Sequence, residues 1–378
     1  MLVSKKIWLR LLAGALILVA GAAAIAGLWF RHYCRTPAPL LAETTVLIPK
    51  GAGVRRIGAL LAEKRVLQND VRYLVYLRLS GLGPRLQAGE YSFAPGLTPP
   101  QVLEKIVRGE VLRHPVTIVE GLKLEEIAAV FARGGWVDSA EFLRLARDPA
   151  FIRSLKLETA SLEGYLFPDT YLMVRGMGEE ELIRRMVRSF QRVWASLDSA
   201  VTDLSRHEVL TLASVVEKET GQAVERPLIA RVFLNRLKLG MPLQSDPTVI
   251  YGMGERFSGN LRKSDLRAPS SHNTYVIPGL PPGPICSPGR AALEAVLKPA
   301  SSDALYFVSR NDGSHVFSKT LAEHNRAVQL YQRGGKKPQT QTQTKAAPNP
   351  ADQPPASAVP PPSSPAPASE QAGQGALQ

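Results

Sequence analysis

The sequence predicts an α+β protein with one membrane helix near its N-terminus. Three observations predict this fold class. Residues 11–30 form an uncharged apolar run, long enough to cross a bilayer as a helix. Residues 45–115 alternate short strand patterns with amphipathic helical patterns, and residues 116–335 are mostly helical with long segments rich in glycine and proline. With a hydrophobic content of 45% in 378 residues, the chain can bury a sizeable core.

Residues 1–36 are predicted to be a short cytoplasmic tail followed by a single transmembrane anchor. Basic residues precede the apolar run, and Trp29 and Phe30 at its end suit a membrane interface. Because the N-terminal tail is short, a cytoplasmic N-terminus with an extracytoplasmic body is the simpler topology. A cleaved signal peptide is the alternative, since Ala24-Ile25-Ala26 resembles a cleavage site.

Composition narrows the possible partners and cofactors. The net charge of +13 predicts an anionic or polar partner, such as nucleic acid, a membrane surface or a cell-wall polymer. An exported body argues against nucleic acid. The two cysteines, Cys34 and Cys286, form no disulfide framework, and the six histidines show no metal-ligand spacing. We therefore expect neither a metal nor a cofactor.

A linker at residues 37–44 leads to the small unit at 45–115. Its patterns predict strands at 44–51, 89–95 and 114–121 and helices at 53–66, 69–81 and 98–110. Asn69 or Asp70 is expected to cap the second helix. Thr98 with Gln101 forms a capping-box pattern at the start of the third helix.

The larger unit at 116–335 is predicted to carry its function on long loops between helices. Helices are predicted at 123–133, 139–147, 179–197, 206–220, 224–239, 290–297 and 319–332. Residues 305–319 read as a β-hairpin that turns at Asn311-Asp312-Gly313. Residues 240–288 show little helical pattern and are predicted to be a long structured loop. The tail at 336–378, rich in Pro, Ala, Gln and Ser, is predicted to be disordered.

Two glutamates near the end of the predicted helix 206–220 are candidate catalytic acids. At roughly 100° per residue, Glu217 and Glu219 both fall within the apolar arc of this helix, and Lys218 points away. A carboxyl group there is desolvated and meets the negative end of the helix dipole, the setting that a general acid requires. The alternative is that both acids reach solvent or pair with Arg226 or Arg231. Helical geometry does not choose between the two glutamates.

Several long motifs, in a fixed order, resemble one known family. They read EGYLFPDTY (163–171), LASVVEKETGQAVERPLIARVFLNRLKLGMPLQSDPTVIYGMG (212–254), SHNTYVIPGLPPGPICSPGRAAL (271–293) and LYFVSRNDGSHVFSKTLAEHNRAV (305–328). With the N-terminal anchor, they resemble the membrane-anchored, YceG-like endolytic murein transglycosylases. The resemblance extends to about residue 333 and omits the tail. It also makes residues 45–115 similar to the family's LysM-like subdomain, which implies glycan binding.

The resemblance implies a reaction and a catalytic residue. It implies that Glu217 is the catalytic acid and base, which cleaves the β-1,4 bond between N-acetylmuramic acid and N-acetylglucosamine within peptidoglycan strands. The expected product is a 1,6-anhydro-muramic end, formed without water. Because the substrate's own C6 hydroxyl attacks, one carboxyl group suffices where a hydrolase uses two. Glu219, Arg226 and Asn235 are expected to organise Glu217 by hydrogen bonds.

Polar residues of the other motifs are predicted to form the substrate cleft. Amide, carboxylate and phenol groups can hydrogen-bond sugar hydroxyls and acetamides. The predicted substrate-binding residues are Glu163, Gln244, Asp246, Tyr251, Asn273 and Tyr275. For each of them the alternative is a structural role in a turn, a cap or the core.

The leading hypothesis is an enzyme of the cytoplasmic membrane that acts on peptidoglycan strands and sets their length. A non-catalytic wall-binding scaffold that recruits peptidoglycan synthases is the second hypothesis. A hydrolase of the same bond is the third. The expected partners are glycan strands and the membrane, with a peptidoglycan synthase complex as a further candidate.

Overall fold

The fold is that of a computed structural model, which describes residues 2–38, 40–197 and 203–333. The tail predicted at 336–378 lies outside these residues. Helices and small two-stranded sheets together form the described part, so the predicted α+β class is confirmed.

Helix α1 extends over Leu2–Arg35. Within its segment Ile7–Arg35, the most apolar stretch of 18 residues has a mean hydropathy of 2.4 and no buried residues. Within the described residues it is the one helix long and apolar enough to cross a membrane. This agrees with the predicted single membrane helix.

The small unit packs helices against a two-stranded sheet. Its elements are β1 (Thr44–Ile48), α2 (Val54–Glu63), α3 (Val71–Ser80), β2 (Gly89–Phe93) and α4 (Pro99–Val107). Strands β1 and β2 are antiparallel, with Val46 opposite Tyr91. The Asp70 side chain accepts a hydrogen bond from the Arg72 N–H at the start of α3, and the predicted capping box starts α4.

The larger unit surrounds a second hydrophobic core. Its first elements are β3 (His114–Thr117), α5 (Leu124–Arg133), α6 (Ser139–Ala146), α7 (Pro149–Ser154), β4 (Thr170–Met173), α8 (Glu179–Ser196) and α9 (Arg206–Glu219). The remaining ones are α10 (Arg226–Lys238), α11 (Asp246–Met253), α12 (Arg290–Leu297), β5 (Tyr306–Ser309), β6 (His315–Ser318) and α13 (Leu321–Val328). Helix α9 packs against α10, α11 and α12, so its residues 209–216 are buried on every side.

Several elements differ from the predictions, among them strand β4, which was not predicted. Helix α11 lies inside the segment 240–288, which was predicted to be a loop. A proline such as Pro247 is also common in turns, but it fits the first turn of a helix, where its missing N–H costs nothing. Helix α7 was not predicted, and the predicted helix 319–332 becomes α13 followed by a π-helical turn at Gln329–Arg333.

Strand β3 pairs with β4 of the larger unit rather than with a strand of the small unit. Its antiparallel register places His114 opposite Met173 and Thr117 opposite Thr170. The hairpin predicted at 305–319 is confirmed as β5 and β6. Its turn uses left-handed backbone at Asn311 and Gly313, with φ values of 64° and 85°.

Candidate active site

The site is built around the end of α9. This helix begins at Ser205, whose hydroxyl accepts a hydrogen bond from the Glu208 N–H, while the Glu208 carboxylate accepts one from the Ser205 N–H. The helix ends at Glu219, because Thr220 is already extended. Glu217 and Glu219 therefore lie in the last turn of a helix that is enclosed by three neighbours.

Glu217 is held on both of its carboxylate oxygens. Arg226 Nη2 donates to Oε1 over 2.8 Å, and the backbone N–H of Gly289 donates to Oε2 over 3.0 Å. Only 6% of the Glu217 side chain and 11% of the Arg226 side chain are exposed. Arg226 also lies 3.8 Å from Glu120, whose pKa is raised by burial and by the nearby Glu217 charge. Glu217 thus forms a nearly enclosed ion pair.

Glu219 has a different environment. Like Glu217 it is partly buried, but it lines an open cleft, and the Ser245 hydroxyl donates a hydrogen bond to its Oε1. Desolvation raises the pKa of Glu219 to about 7 despite this hydrogen bond, with a smaller upward contribution from Asp246. A carboxyl group with a pKa near 7 can give and take a proton at neutral pH.

The cleft beside Glu219 has a volume of about 330 Å³ and a mostly polar lining. One wall comes from α9, α10 and the segment before α11, and the other from the β5–β6 hairpin and the C-terminal helix. The lining residues are Glu219, Arg236, Leu243, Gln244, Asp246, Tyr275, Phe307, Val308, Ser309, His315, His324, Val328 and Gln332. Its hydroxyl, amide and imidazole groups suit a sugar ligand.

Three of the predicted substrate-binding residues lie in this cleft. Tyr275 donates its hydroxyl to Asp246 Oδ1 over 2.6 Å. Gln244 has a left-handed backbone, with φ of 54°, and its N–H donates to the Thr274 carbonyl over 3.1 Å. A non-glycine residue in this conformation costs about 1 kcal/mol or more, and such strain is common at functional sites.

Ser245 and Arg236 also shape the cleft, and neither is among the predicted site residues. Ser245 is buried and its N–H donates to Thr274 Oγ1 over 3.0 Å, while its carbonyl accepts from Thr248 Oγ1 over 2.7 Å. Arg236 donates to the carbonyls of Leu243 (2.8 Å) and Leu305 (2.7 Å), which joins the two walls. Ser245 lies between two predicted site residues, Gln244 and Asp246, so its position in that motif could have indicated a role in the site.

Glu163 and Tyr251 form a separate cluster and are not among the residues that line this cleft. Tyr251 donates its hydroxyl to Glu163 Oε2 over 3.2 Å, and the Leu124 N–H donates to Oε1 over 3.1 Å. Glu163 is buried, and burial raises its pKa to about 7. In this cluster Glu163 connects the start of α5 to α11. It therefore has a structural role rather than the predicted contact with substrate.

We expect Glu163 to make stability depend on pH. Its folded pKa of about 7 lies above the value of about 4.3 for an unfolded chain, so the folded state keeps the proton longer. The protonated Glu163 therefore adds to the free energy of unfolding below about pH 4. As pH rises towards 7, the free energy of unfolding falls by about 3 kcal/mol. Glu163→Gln should remove this loss, which urea unfolding between pH 4 and 8 would measure. Parallel stability curves for the variant and the wild type would contradict the assignment, with the exposed Glu63→Gln as control.

Asn273 and Asn235, which were also predicted to belong to the site, donate hydrogen bonds to backbone carbonyls and do not line the cleft. Asn273 is buried, and its Nδ2 donates to the carbonyl of Ala268 over 2.8 Å and to those of two neighbouring residues. Asn235 Nδ2 donates to the carbonyls of Ser302 and Ala304, both over 3.0 Å. Asn235 was expected to organise Glu217, but these contacts place it on the 302–304 segment. Arg226 does contact Glu217, as expected.

Among the described residues, no group of three or more His, Cys, Asp or Glu side chains has the arrangement of a metal site. Cys286 is buried, with its thiol 3.3 Å from the Ser214 carbonyl, and burial raises its pKa well above the ordinary value. A protonated, enclosed thiol is a poor nucleophile.

The profile of one protein family, described as the YceG-like family, matches residues 46–330. The chain belongs to the YceG-like family. The matched region contains the core of the larger unit, the core of the small unit except Tyr33 of α1, and the predicted site residues, and it begins after α1. Membership confirms the resemblance that the sequence motifs carry.

Several known proteins align with about three quarters of this chain. It is 35% identical over 309 residues to the endolytic murein transglycosylase of Bacillus subtilis, covering 76% of this chain and 85% of that protein. It is 31% identical over 318 residues to the endolytic murein transglycosylase of Streptococcus pneumoniae, of which it spans 57%. A crystal structure of a yceG-like protein from Listeria monocytogenes aligns with a TM-score of 0.50 and 34% identity, covering 75% of this chain and 98% of that one.

Proposed function

We propose that the chain is a membrane-anchored peptidoglycan lytic transglycosylase that cleaves within glycan strands. The observation that carries the proposal is the half-buried Glu219 carboxyl group, with its pKa of about 7, in a polar cleft. The names of the Bacillus and Streptococcus relatives support this substrate and reaction.

The proposed reaction breaks the β-1,4 bond between N-acetylmuramic acid and N-acetylglucosamine. The carboxyl group gives its proton to the glycosidic oxygen as the bond from C1 to that oxygen breaks. The C6 hydroxyl of the same muramic residue then attacks C1, and its proton passes to the carboxylate, which regenerates the acid. The substrate's acetamido group stabilises the positive charge at C1. The products are a free 4-hydroxyl and a 1,6-anhydro end, and no water is consumed.

The geometry favours Glu219 over Glu217 as this acid. Both Glu217 oxygens already accept hydrogen bonds, one from Arg226 and one from the Gly289 N–H, and Glu217 does not line the cleft. Glu219 faces the cleft and has the raised pKa. The resemblance in sequence assigned the two roles the other way round, so Glu217 remains a prediction that the same mutagenesis tests.

Gln244, Asp246 and Tyr275 are the residues that we propose contact the sugar. They surround Glu219 in the cleft, and their amide, carboxylate and phenol groups match hydroxyl and acetamide groups. Ser245 orients the Glu219 carboxyl group through its hydroxyl. The buried Glu163–Tyr251 cluster and Asn273 support the backbone around the cleft in this proposal.

The anchor is proposed to cross the cytoplasmic membrane once, with the N-terminus in the cytoplasm and the enzyme outside. The apolar α1 and the basic residues before the apolar run support this topology. We propose that residues 45–115 form a LysM-like subdomain that positions glycan, that residues 116–335 form the catalytic domain, and that a peptidoglycan synthase complex is a partner.

Digestion of purified sacculi in H₂¹⁸O, followed by mass spectrometry, tests the proposed reaction. We expect soluble muropeptides with 1,6-anhydro ends and no incorporated ¹⁸O, because the attacking oxygen comes from the substrate. Reducing ends that carry ¹⁸O would instead identify a hydrolase. No release by the wild type, with retained binding to sacculi, would favour the non-catalytic scaffold.

A further inference from the structure

Helix α3 presents to solvent an apolar face that is interrupted by Arg78. At roughly 100° per residue, Val71, Leu74, Val75 and Leu79 fall within an arc of about 140°. Their exposed fractions are 57%, 36%, 39% and 76%. Tyr73 and Leu77, on the opposite side, are buried in the core of the small unit. Single exposed apolar residues are ordinary, but four on one helix face indicate a surface that something covers.

This face lies next to the end of the proposed membrane span. The Tyr76 ring lies 6.5 Å from the Phe30 ring, and the Arg72 guanidinium lies 4.5 Å from the centre of the Trp29 ring. Trp29 and Phe30 end the apolar run of α1, where aromatic side chains mark a membrane interface. Arg72 and Tyr76 project from the margin of the apolar face of α3, so the face begins at interface level.

The end of α1 is also attached firmly to the small unit. Tyr33 is buried in the core of that unit, and its hydroxyl donates to the Gln68 carbonyl over 3.1 Å. Arg72 also lies 4.8 Å from the Tyr33 ring centre and forms a 2.5 Å ion pair with Asp70. Because these contacts join α1 to the start of α3, the height of α3 above the bilayer is coupled to the depth of α1.

We propose that α3 lies in the interface of the membrane that α1 crosses, with Val71, Leu74, Val75 and Leu79 among the lipid headgroups and upper chains. The proposal rests on the membrane anchoring in the proposed function. A helix with one apolar face binds this region through its buried apolar area. Arg78, within the apolar arc, extends its guanidinium back to phosphate level, and anionic lipids attract it.

The proposal gives the small unit a second membrane attachment. A single span leaves the attached body free to rotate about its axis and to tilt. An interfacial helix beside that span restricts both motions, and so fixes which side of the small unit faces the bilayer. The cleft would then work within a limited range of heights above the membrane.

Spin labels on the full chain in liposomes containing phosphatidylglycerol test this placement. Single cysteines replace Val75, Leu79, Leu18 in α1, and the exposed Leu321 of α13 as a matched control. The background carries Cys34→Ser, and Cys286 stays buried. Power saturation compares the access of apolar oxygen with that of a water-soluble nickel chelate.

We expect labels at 75 and 79 to show an oxygen-to-nickel access ratio several-fold above that of the label at 321. A ratio equal to that at 321, with the label at 18 deep in the bilayer, would overturn the proposal and leave the anchor intact. A label at 18 that water reaches would instead refute the anchor. Spin–spin broadening at 79 that unlabelled protein dilutes away would assign the face to a second copy and also overturn the proposal.

Discussion

Glu219→Gln should reduce the release of anhydro-muropeptides from sacculi by at least about 10²-fold, the lower range for loss of a general acid. Glutamine keeps the size of the side chain and a hydrogen bond with Ser245, but it has no proton to give to the glycosidic oxygen. Because the acid must be protonated, the wild-type turnover should also fall as pH rises through about 7, the pKa of Glu219. Chromatography of the released muropeptides measures both effects.

Glu217→Gln is the matched control, two residues away on the same helix turn. On the Glu219 assignment this variant retains most of the turnover in folded protein, because Glu217 does not line the cleft, whereas on the assignment from the sequence motifs, in which Glu217 is the acid, it loses turnover. Loss of turnover in a folded Glu217→Gln variant, with turnover retained in Glu219→Gln, would reverse the assignment. Binding of both variants to sacculi should match the wild type, which separates loss of chemistry from loss of recognition.

Arg226→Met should destabilise the protein by about 3–5 kcal/mol, the range for breaking a buried ion pair on one side. The change leaves the Glu217 carboxylate in an enclosed site where, among the described residues, the Gly289 N–H is its remaining donor. Methionine keeps most of the apolar volume of the arginine stem, so the loss of stability reflects the removed charge rather than altered packing. Urea unfolding at pH 7 measures it.

The double variant Arg226→Met/Glu217→Gln separates the ion pair from other effects. Removing both charges should recover much of the loss, because no uncompensated buried carboxylate remains. Arg290→Met provides a surface comparison. Its 2.7 Å pair with Glu294 is about half exposed, so it should cost less than about 1 kcal/mol. If Arg226→Met cost no more than Arg290→Met, the enclosed ion pair would not be structural.

Periodic hydrophobic patterns were enough to predict most helices. Helices α5, α8 and α12 begin and end within about two residues of their predicted bounds, because one side of each faces the core and the other faces water. Helix α11 was not predicted, since it is short and starts with Asp246-Pro247, a sequence also typical of turns. Its helical state depends on packing against α9, which a local pattern does not contain.

Sequence motifs predicted which residues belong to the candidate site, but not how those residues are arranged in space. Gln244, Asp246 and Tyr275 lie together as expected. Glu163 and Asn273 were selected because polar residues in glycine- and proline-rich motifs suit sugar binding, but buried backbone groups also need polar partners. Both residues serve such groups here, at Leu124 and at Ala268. Sequence alone does not distinguish these two uses.

The sequence by itself determined the α+β class, the apolar N-terminal helix and the family, because hydrophobic periodicity and long motifs depend on residues that are close together in the sequence. Helical angles also predicted that Glu217 and Glu219 turn towards packed surroundings and Lys218 away from them, and in the structure both glutamates are partly buried and Lys218 is exposed. Only the tertiary structure separated them. Arg226 and Gly289, 9 and 72 residues away, enclose Glu217, whereas Ser245, 26 residues away, holds Glu219 at the cleft. The environment of a carboxyl group is set by such distant neighbours, because burial and charge act through space rather than along the chain.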